Sequence, residues 1–180
     1  MRLSLLAIAA LAASVAVLAE TPCHCDPAQP ETLKARECSL CAEAEKEPPG
    51  VDIFFRKDIN PRKPNRLLAL PRIHTGENHP LAELPPDLRV RFWTAAIEKA
   101  KELWGPDWAV AYNGDRVRTQ CHAHIHIGKL LPGVEFGDFV VVSSPSEIIV
   151  PPRDGVWVHP VDGKLHVHTG EQITETVLLR

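Results

Sequence analysis

No segment of this 180-residue chain repeats another, no apolar run is long enough for a full membrane span, and basic residues do not outnumber acidic ones. The first absence excludes a solenoid of stacked units. As to the second, the longest apolar stretch is residues 3–18, LSLLAIAALAASVAVL, whereas a spanning helix needs about 20 residues. Arg2 before it, and Val17-Leu18-Ala19 ahead of Glu20, give it the layout of a secretory signal peptide, residues 1–19, cleaved after Ala19. A retained N-terminal anchor is the alternative. Beyond Ala19 stand 19 Lys and Arg against 23 Asp and Glu, a net of −4, which argues against general attraction to nucleic acid or anionic lipid. The length suits one domain that buries its core without staples.

What is present is a row of histidines. His122, His124 and His126 alternate with Ala123, Ile125 and Ile127. On a strand, alternate residues share a face, so the imidazoles would line one side while the apolar residues enter a core. On a helix, His124 would point away from the other two. Histidine is a neutral-pH nucleophile, proton carrier and metal ligand, so three in phase point to chemistry more than to packing. A solvent-facing edge strand is the bland alternative. A second concentration, Arg56, Lys57, Arg62, Lys63, Arg66 and Arg72 with Asp58 as the only acid, suits phosphate or another polyanion, unless it is simply a solvated surface.

Pattern and punctuation give the remaining elements. Residues 20–50 are rich in Pro, Glu and Cys and read as a loop-rich lead-in. Residues 51–56 form a strand, 60–64 (NPRKP) a turn, and 66–70 a second strand closed by Pro71. Asp87 after Pro85-Pro86 caps a helix with Leu88, Phe92, Ala96, Ala100 and Leu103 on one face, and Gly105-Pro106 ends it. Residues 107–112 form a strand, and residues 121–130 the histidine strand. After Leu131 come short β-like runs at 139–142, 148–150, 156–159, 165–168 and 174–179, with a hairpin turn at 161–164. The expected fold is α+β: a largely antiparallel sheet with one main helix and a short C-terminal β extension, residues 132–180, of the same domain. His159, His166 and His168 read as exposed hairpin residues, because the local sequence offers them no acidic or cysteine partner at ligand spacing.

The run from His122 to Ile127 resembles the His-φ-His-φ-His-φ signature of the histidine-triad superfamily of nucleotide hydrolases and transferases. Residues 55–74, FRKDINPRKPNRLLALPRIH, resemble that family's first half: strand, Asp-φ-Asn-Pro turn, strand, proline and closing histidine. Residues 113–127, NGDRVRTQCHAHIHI, are most similar to the CDP-diacylglycerol pyrophosphatase branch, chiefly through Arg118-Thr119-Gln120 before the triad. The resemblance covers about residues 38–131 and implies a histidine-triad-like catalytic domain over 51–131. It implies a hydrolase that cleaves a pyrophosphate or phosphoester bond, with CDP-diacylglycerol as first choice and a soluble nucleotide conjugate as alternative; the export expected from the signal-peptide layout, periplasmic or secreted, suits that branch. Against the lipid substrate stand a reduced C-terminal third and an acidic surface, which offers little help at a membrane. Homodimerisation, common among relatives, is left open.

The same resemblance divides the histidines. His124 would attack phosphorus and form a covalent adduct, and His126 would contact the phosphate. Asn113, Thr119 and Gln120 would position phosphate oxygens, and Arg118 or a member of the basic cluster would neutralise charge on the leaving group. No metal is required for that step, although Mg²⁺ could accompany the substrate. Several family members hold a structural zinc, and the matching positions here are Cys38, Cys41, His74 and His122, two cysteines and two histidines of suitable softness. The competing expectation pairs Cys23, Cys25, Cys38 and Cys41 as disulfides and leaves Cys121 free; His24 and His79 are spare ligands. A non-catalytic exported zinc- or copper-binding protein is the alternative from another class.

Overall fold

The computed structural model describes residues 21–75, 80–135 and 137–180. The expected signal peptide and His79 lie outside these residues. Among the described residues, no helix is long and apolar enough to cross a membrane.

Seven strands form one sheet in the order β1-β2-β4-β3-β6-β7-β5, and every pairing is antiparallel. They are β1 (Ile53–Lys57), β2 (Leu67–Pro71), β3 (Trp108–Tyr112), β4 (Ile125–Lys129), β5 (Phe139–Val142), β6 (Val156–Val161) and β7 (Lys164–Thr169). The α+β class and antiparallel sheet thus hold, and β6 joins β3 directly, so the C-terminal part widens the sheet rather than forming a separate unit.

The main helix, α2 (Pro86–Trp104), begins with Pro86, whose missing N–H costs nothing in a first turn. Asp87 lies inside that first turn, and the N-cap is Pro85. The helix stops at Gly105, whose φ of 55° is open to glycine without strain. Its face buries Leu88, Phe92, Trp93, Ala96, Ile97 and Ala100 against Trp108, Val110, Tyr112, Ala123, Ile125 and Ile127. Leu103 departs from the expected face and is exposed.

The other sheet face positions the site. It carries His126 on β4, Ala109 and Ala111 on β3, and Trp157 on β6; the side chains of Val177 and Leu178 cover the two alanines and Trp157. Toward β1 and β2 it is covered by α1 (Ser39–Ala44), where Ala44 and Leu40 pack with Phe54, Leu68 and Leu70. The lead-in is therefore structured, with 3-10 turns at Pro30–Lys34 and Arg36–Cys38 before that helix. Two further expectations fail. Residues 148–150 lie outside the sheet, with Ile148 and Val150 buried from an irregular segment, and the run at 174–179 contains a 3-10 helix, Thr174–Val177. Their apolar side chains serve the core without a β ladder, which a short apolar run cannot distinguish from a strand.

Candidate functional site

The histidine strand begins later than its alternation suggests. Only His126 lies within β4; His122 and His124 sit in the irregular segment before it. The alternation still holds by face: Ala123, Ile125 and Ile127 enter the α2 core, while the three histidines are buried on the other side. The imidazoles part company there. His124 and His126 meet edge to face with ring centroids 4.9 Å apart, and His122 turns to His74, also at 4.9 Å.

A cavity of about 500 Å³ opens over the first pair, in the range of small-ligand sites. His124, His126, Asn113, Arg118, Thr119 and Gln120 all line it, so the structure brings together every proposed catalytic and phosphate-binding residue. Arg36, Ser39 and Leu40 of the lead-in form another wall, and Asp58, Asn60 and Lys63 of the β1–β2 loop a third. That loop is set by side-chain turns: Asp58 Oδ1 accepts from the Asn60 N–H at 2.9 Å, and Asn60 Oδ1 from the Arg62 N–H at 3.0 Å.

His124 has a fixed tautomer. Its Nδ1 lies 2.8 Å from the His122 carbonyl, which can only accept, so Nδ1 carries the proton and Nε2 the lone pair. Burial pushes its pKa down to about 4, the desolvation outweighing the His122 hydrogen bond, and the ring is neutral at pH 7. His126 is buried, and neither ring nitrogen makes a hydrogen bond; Glu175 Oε2 stands 3.5 Å from Nδ1. Burial, then the His124 ring, Lys63 and Arg66, hold His126 well below the usual histidine range. A buried imidazole with two unused nitrogens in a cavity is a ligand-facing group.

Other predicted residues are committed elsewhere. Asn113 Oδ1 accepts from Thr174 Oγ1 at 3.3 Å and from the Glu175 N–H at 3.0 Å, tying the C-terminal segment down. Gln120 Oε1 accepts from Ser39 Oγ at 2.8 Å, and Gln120 Nε2 donates to the Arg36 carbonyl at 3.0 Å; this side chain fastens the lead-in wall. The Arg118 guanidinium donates to Asp115 at 2.9 Å and to the Cys121 carbonyl at 3.2 Å, and lies over the Tyr112 ring. Of the basic cluster, Arg56 pairs with Glu43 and Glu47, and Arg66 is buried against Glu175 and the carbonyls of Glu175, Leu178 and Leu179. Lys63 is the one member of the cluster that reaches the cavity, paired with Glu175. Glu175 was invisible in the sequence, lying far from the triad with no motif around it.

The expected zinc set is corrected. Cys38 is joined to Cys25 and Cys121 to Cys23, so Cys38 offers no thiolate, Cys121 is not free, and the free cysteine is the buried Cys41. Cys41, His74 and His122 still converge, their ligand atoms within 4.8 Å of one another. His122 Nε2 donates to the Pro71 carbonyl at 2.6 Å and His74 Nε2 to the Glu45 carboxylate at 2.8 Å, so in the neutral rings Nδ1 is the ligand nitrogen in both. Two oriented imidazoles and a thiol fit a metal held by three protein ligands. Burial drives the Cys41 thiol up to about 12, so binding there would have to displace its proton.

The C-terminal histidines are also corrected. His159 and His168 are buried, not exposed, and Glu135 supplies the acid that the local sequence lacks. Compared with models of known protein families and with curated proteins, the chain matches none. Fold and site define an α+β protein with a histidine-lined cavity on the sheet face opposite its main helix.

Proposed function

We propose that the protein is a histidine-triad phosphohydrolase that cleaves a pyrophosphate or phosphoester bond of a nucleotide conjugate through a covalent His124 adduct. The observation that carries this reading is the His124 ring: neutral, buried, and with Nδ1–H spent on the His122 carbonyl, so that Nε2 is the nucleophilic nitrogen at a cavity of substrate size. Nε2 forms a bond to phosphorus as the P–O bond to the leaving group breaks, and the leaving group departs as an anion that takes any proton it needs from solvent. Water then attacks the adduct and releases His124. His126 contacts the phosphate oxygens, and Lys63, paired with Glu175 at the cavity, offsets negative charge. The chemical step needs no metal, and Mg²⁺ is a companion of the substrate only.

CDP-diacylglycerol, giving CMP and phosphatidate, is the first-choice substrate; a soluble nucleotide conjugate is the alternative. The resemblance of residues 113–127 supports the first. Two disulfides support an exported protein working in an oxidising compartment. Zinc at Cys41, His74 and His122 is proposed as structural. The convergence of several metal-type clusters favours, as second reading, a non-catalytic metal-binding protein.

The test is a screen of purified protein against lipid-linked and soluble nucleotide conjugates, followed by acid quench during turnover with the accepted substrate. The expected result is nucleotide release together with a protein-bound, acid-labile phosphoramidate on His124. Turnover with no such adduct would leave hydrolysis but remove the covalent route, and no turnover on any conjugate would favour the metal-binding reading.

A further inference from the structure

A second site lies on the same sheet face, away from the cavity. His159 on β6 is the register partner of His166 on β7, and His168 follows two residues later on the same face. Alternate β7 residues stand about 6.7 Å apart and the cross-strand pair about 5 Å, distances that imidazole side chains bridge toward a common point. They do so here. His159 Nε2 and His168 Nε2 are 3.2 Å apart, Glu135 Oε1 is 2.7 Å from His166 Nδ1 and 3.9 Å from His159 Nε2, and all four ligand atoms lie within 4.8 Å of one another.

One separation in the group already has the length of a coordination polyhedron's edge. With zinc–nitrogen bonds of about 2.05 Å, a tetrahedral ion places two ligand nitrogens about 3.3 Å apart. The His159–His168 separation already matches that edge, and the Glu135–His166 pair, 2.7 Å apart, would open slightly to share the same ion. The frame is rigid: β6 and β7 pair along their whole length and close through Asp162 and Gly163, both with positive φ. The surroundings are aromatic. Trp157 stacks on His168 with centroids 3.7 Å apart, and Phe139 on His166 at 4.4 Å, which fixes ring planes.

This group is separate from the triad. His126, Ala111, Trp157 and His168 are successive register partners across β4, β3, β6 and β7. Three strand steps put the two sites about 14 Å apart, too far to share an ion.

We propose that Glu135, His159, His166 and His168 bind a divalent first-row transition-metal ion, with zinc as the reference ion, through three imidazole nitrogens and one carboxylate oxygen. Imidazole with carboxylate selects such ions over calcium and magnesium. The ion ties the segment carrying Glu135 to the β6–β7 hairpin. This holds whether or not the triad is catalytic.

The experiment uses the full chain stripped with a chelator and titrated with ZnCl₂, with metal content and calorimetry as readouts. A Cys41→Ser background removes the thiol-containing group. That protein is expected to retain one zinc whose X-ray absorption shows only nitrogen and oxygen neighbours with imidazole scattering. His166→Ala and Glu135→Gln, at the accessible edge of the cluster, are each expected to raise Kd at least ~10-fold, with circular dichroism unchanged. Calcium and magnesium should not compete. The proposal is overturned if the Cys41→Ser protein retains no zinc, or if both edge variants bind it as tightly as their parent. Sulfur in the zinc shell of that background would overturn it equally.

Discussion

His124→Ala is expected to lower kcat/KM for phosphoanhydride cleavage by at least about 10⁴-fold while the protein still folds, because removing a covalent nucleophile removes the route rather than one contact. The side chain is buried, but its substitution leaves the α2-facing core untouched, since Ala123 and Ile125 on either side carry that packing. The pH profile sharpens the expectation. The reactive form is the neutral ring and its pKa lies near 4, below the ordinary 6.5, so the nucleophile is present above pH 4 and lost as pH falls through it. The acid limb of kcat/KM attributable to this group therefore lies near 4, not near 6.5. His126→Ala is expected to cost less, because that ring serves charge and contact but forms no bond to phosphorus. Unchanged nucleotide release in the His124→Ala protein would show the nucleophile assignment to be wrong. Loss of bound metal without any other change would favour the metal-binding reading.

How much of this could be read beforehand depended on distance along the chain. Period-two alternation at Ala123, Ile125 and Ile127 and helical spacing at Leu88, Phe92, Ala96 and Ala100 are local signals, and both faces came out as read except at Leu103, which is exposed. The start of β4 did not, because His124 Nδ1 takes the His122 carbonyl and the chain reaches the ladder only at Ile125. Side-chain-to-backbone bonds of that kind compete with a strand but leave no periodicity behind. Glu175 beside His126 and Glu135 beside His166 are brought in by the tertiary fold, 49 and 31 residues from their partners. For Gln120 and Asn113 the sequence placed the residues at the cavity but not their duty: both hold its walls together.

Cysteine pairing was the least legible feature, since spacing alone cannot choose a partner, and it carries the second large prediction. Cys23–Cys121 closes a loop with a sequence separation of 98 residues, and Cys25–Cys38 one of 13. On chain entropy, a loop near 100 residues stabilises by about 4.7 kcal/mol and one near 15 by about 3 kcal/mol. Against a typical total of about 5–15 kcal/mol, removing the longer bridge is the graver loss. Cys23→Ser with Cys121→Ser is therefore expected to lower unfolding free energy by about 4–5 kcal/mol. The effect should reach the site as well. Cys121 directly precedes His122, its N–H donates to the Glu37 carbonyl at 2.8 Å, and the tethered lead-in supplies Arg36, Ser39 and Leu40 to the cavity wall. Opening the bridge loosens that wall, so KM should rise more than kcat falls, whereas His124→Ala strikes kcat. Denaturant unfolding of the double variant beside Cys25→Ser/Cys38→Ser checks the ranking. A larger loss from the shorter bridge, or a loss under about 1 kcal/mol from the longer one, would mean that the unfolded chain is not constrained by loop length as the pairing requires.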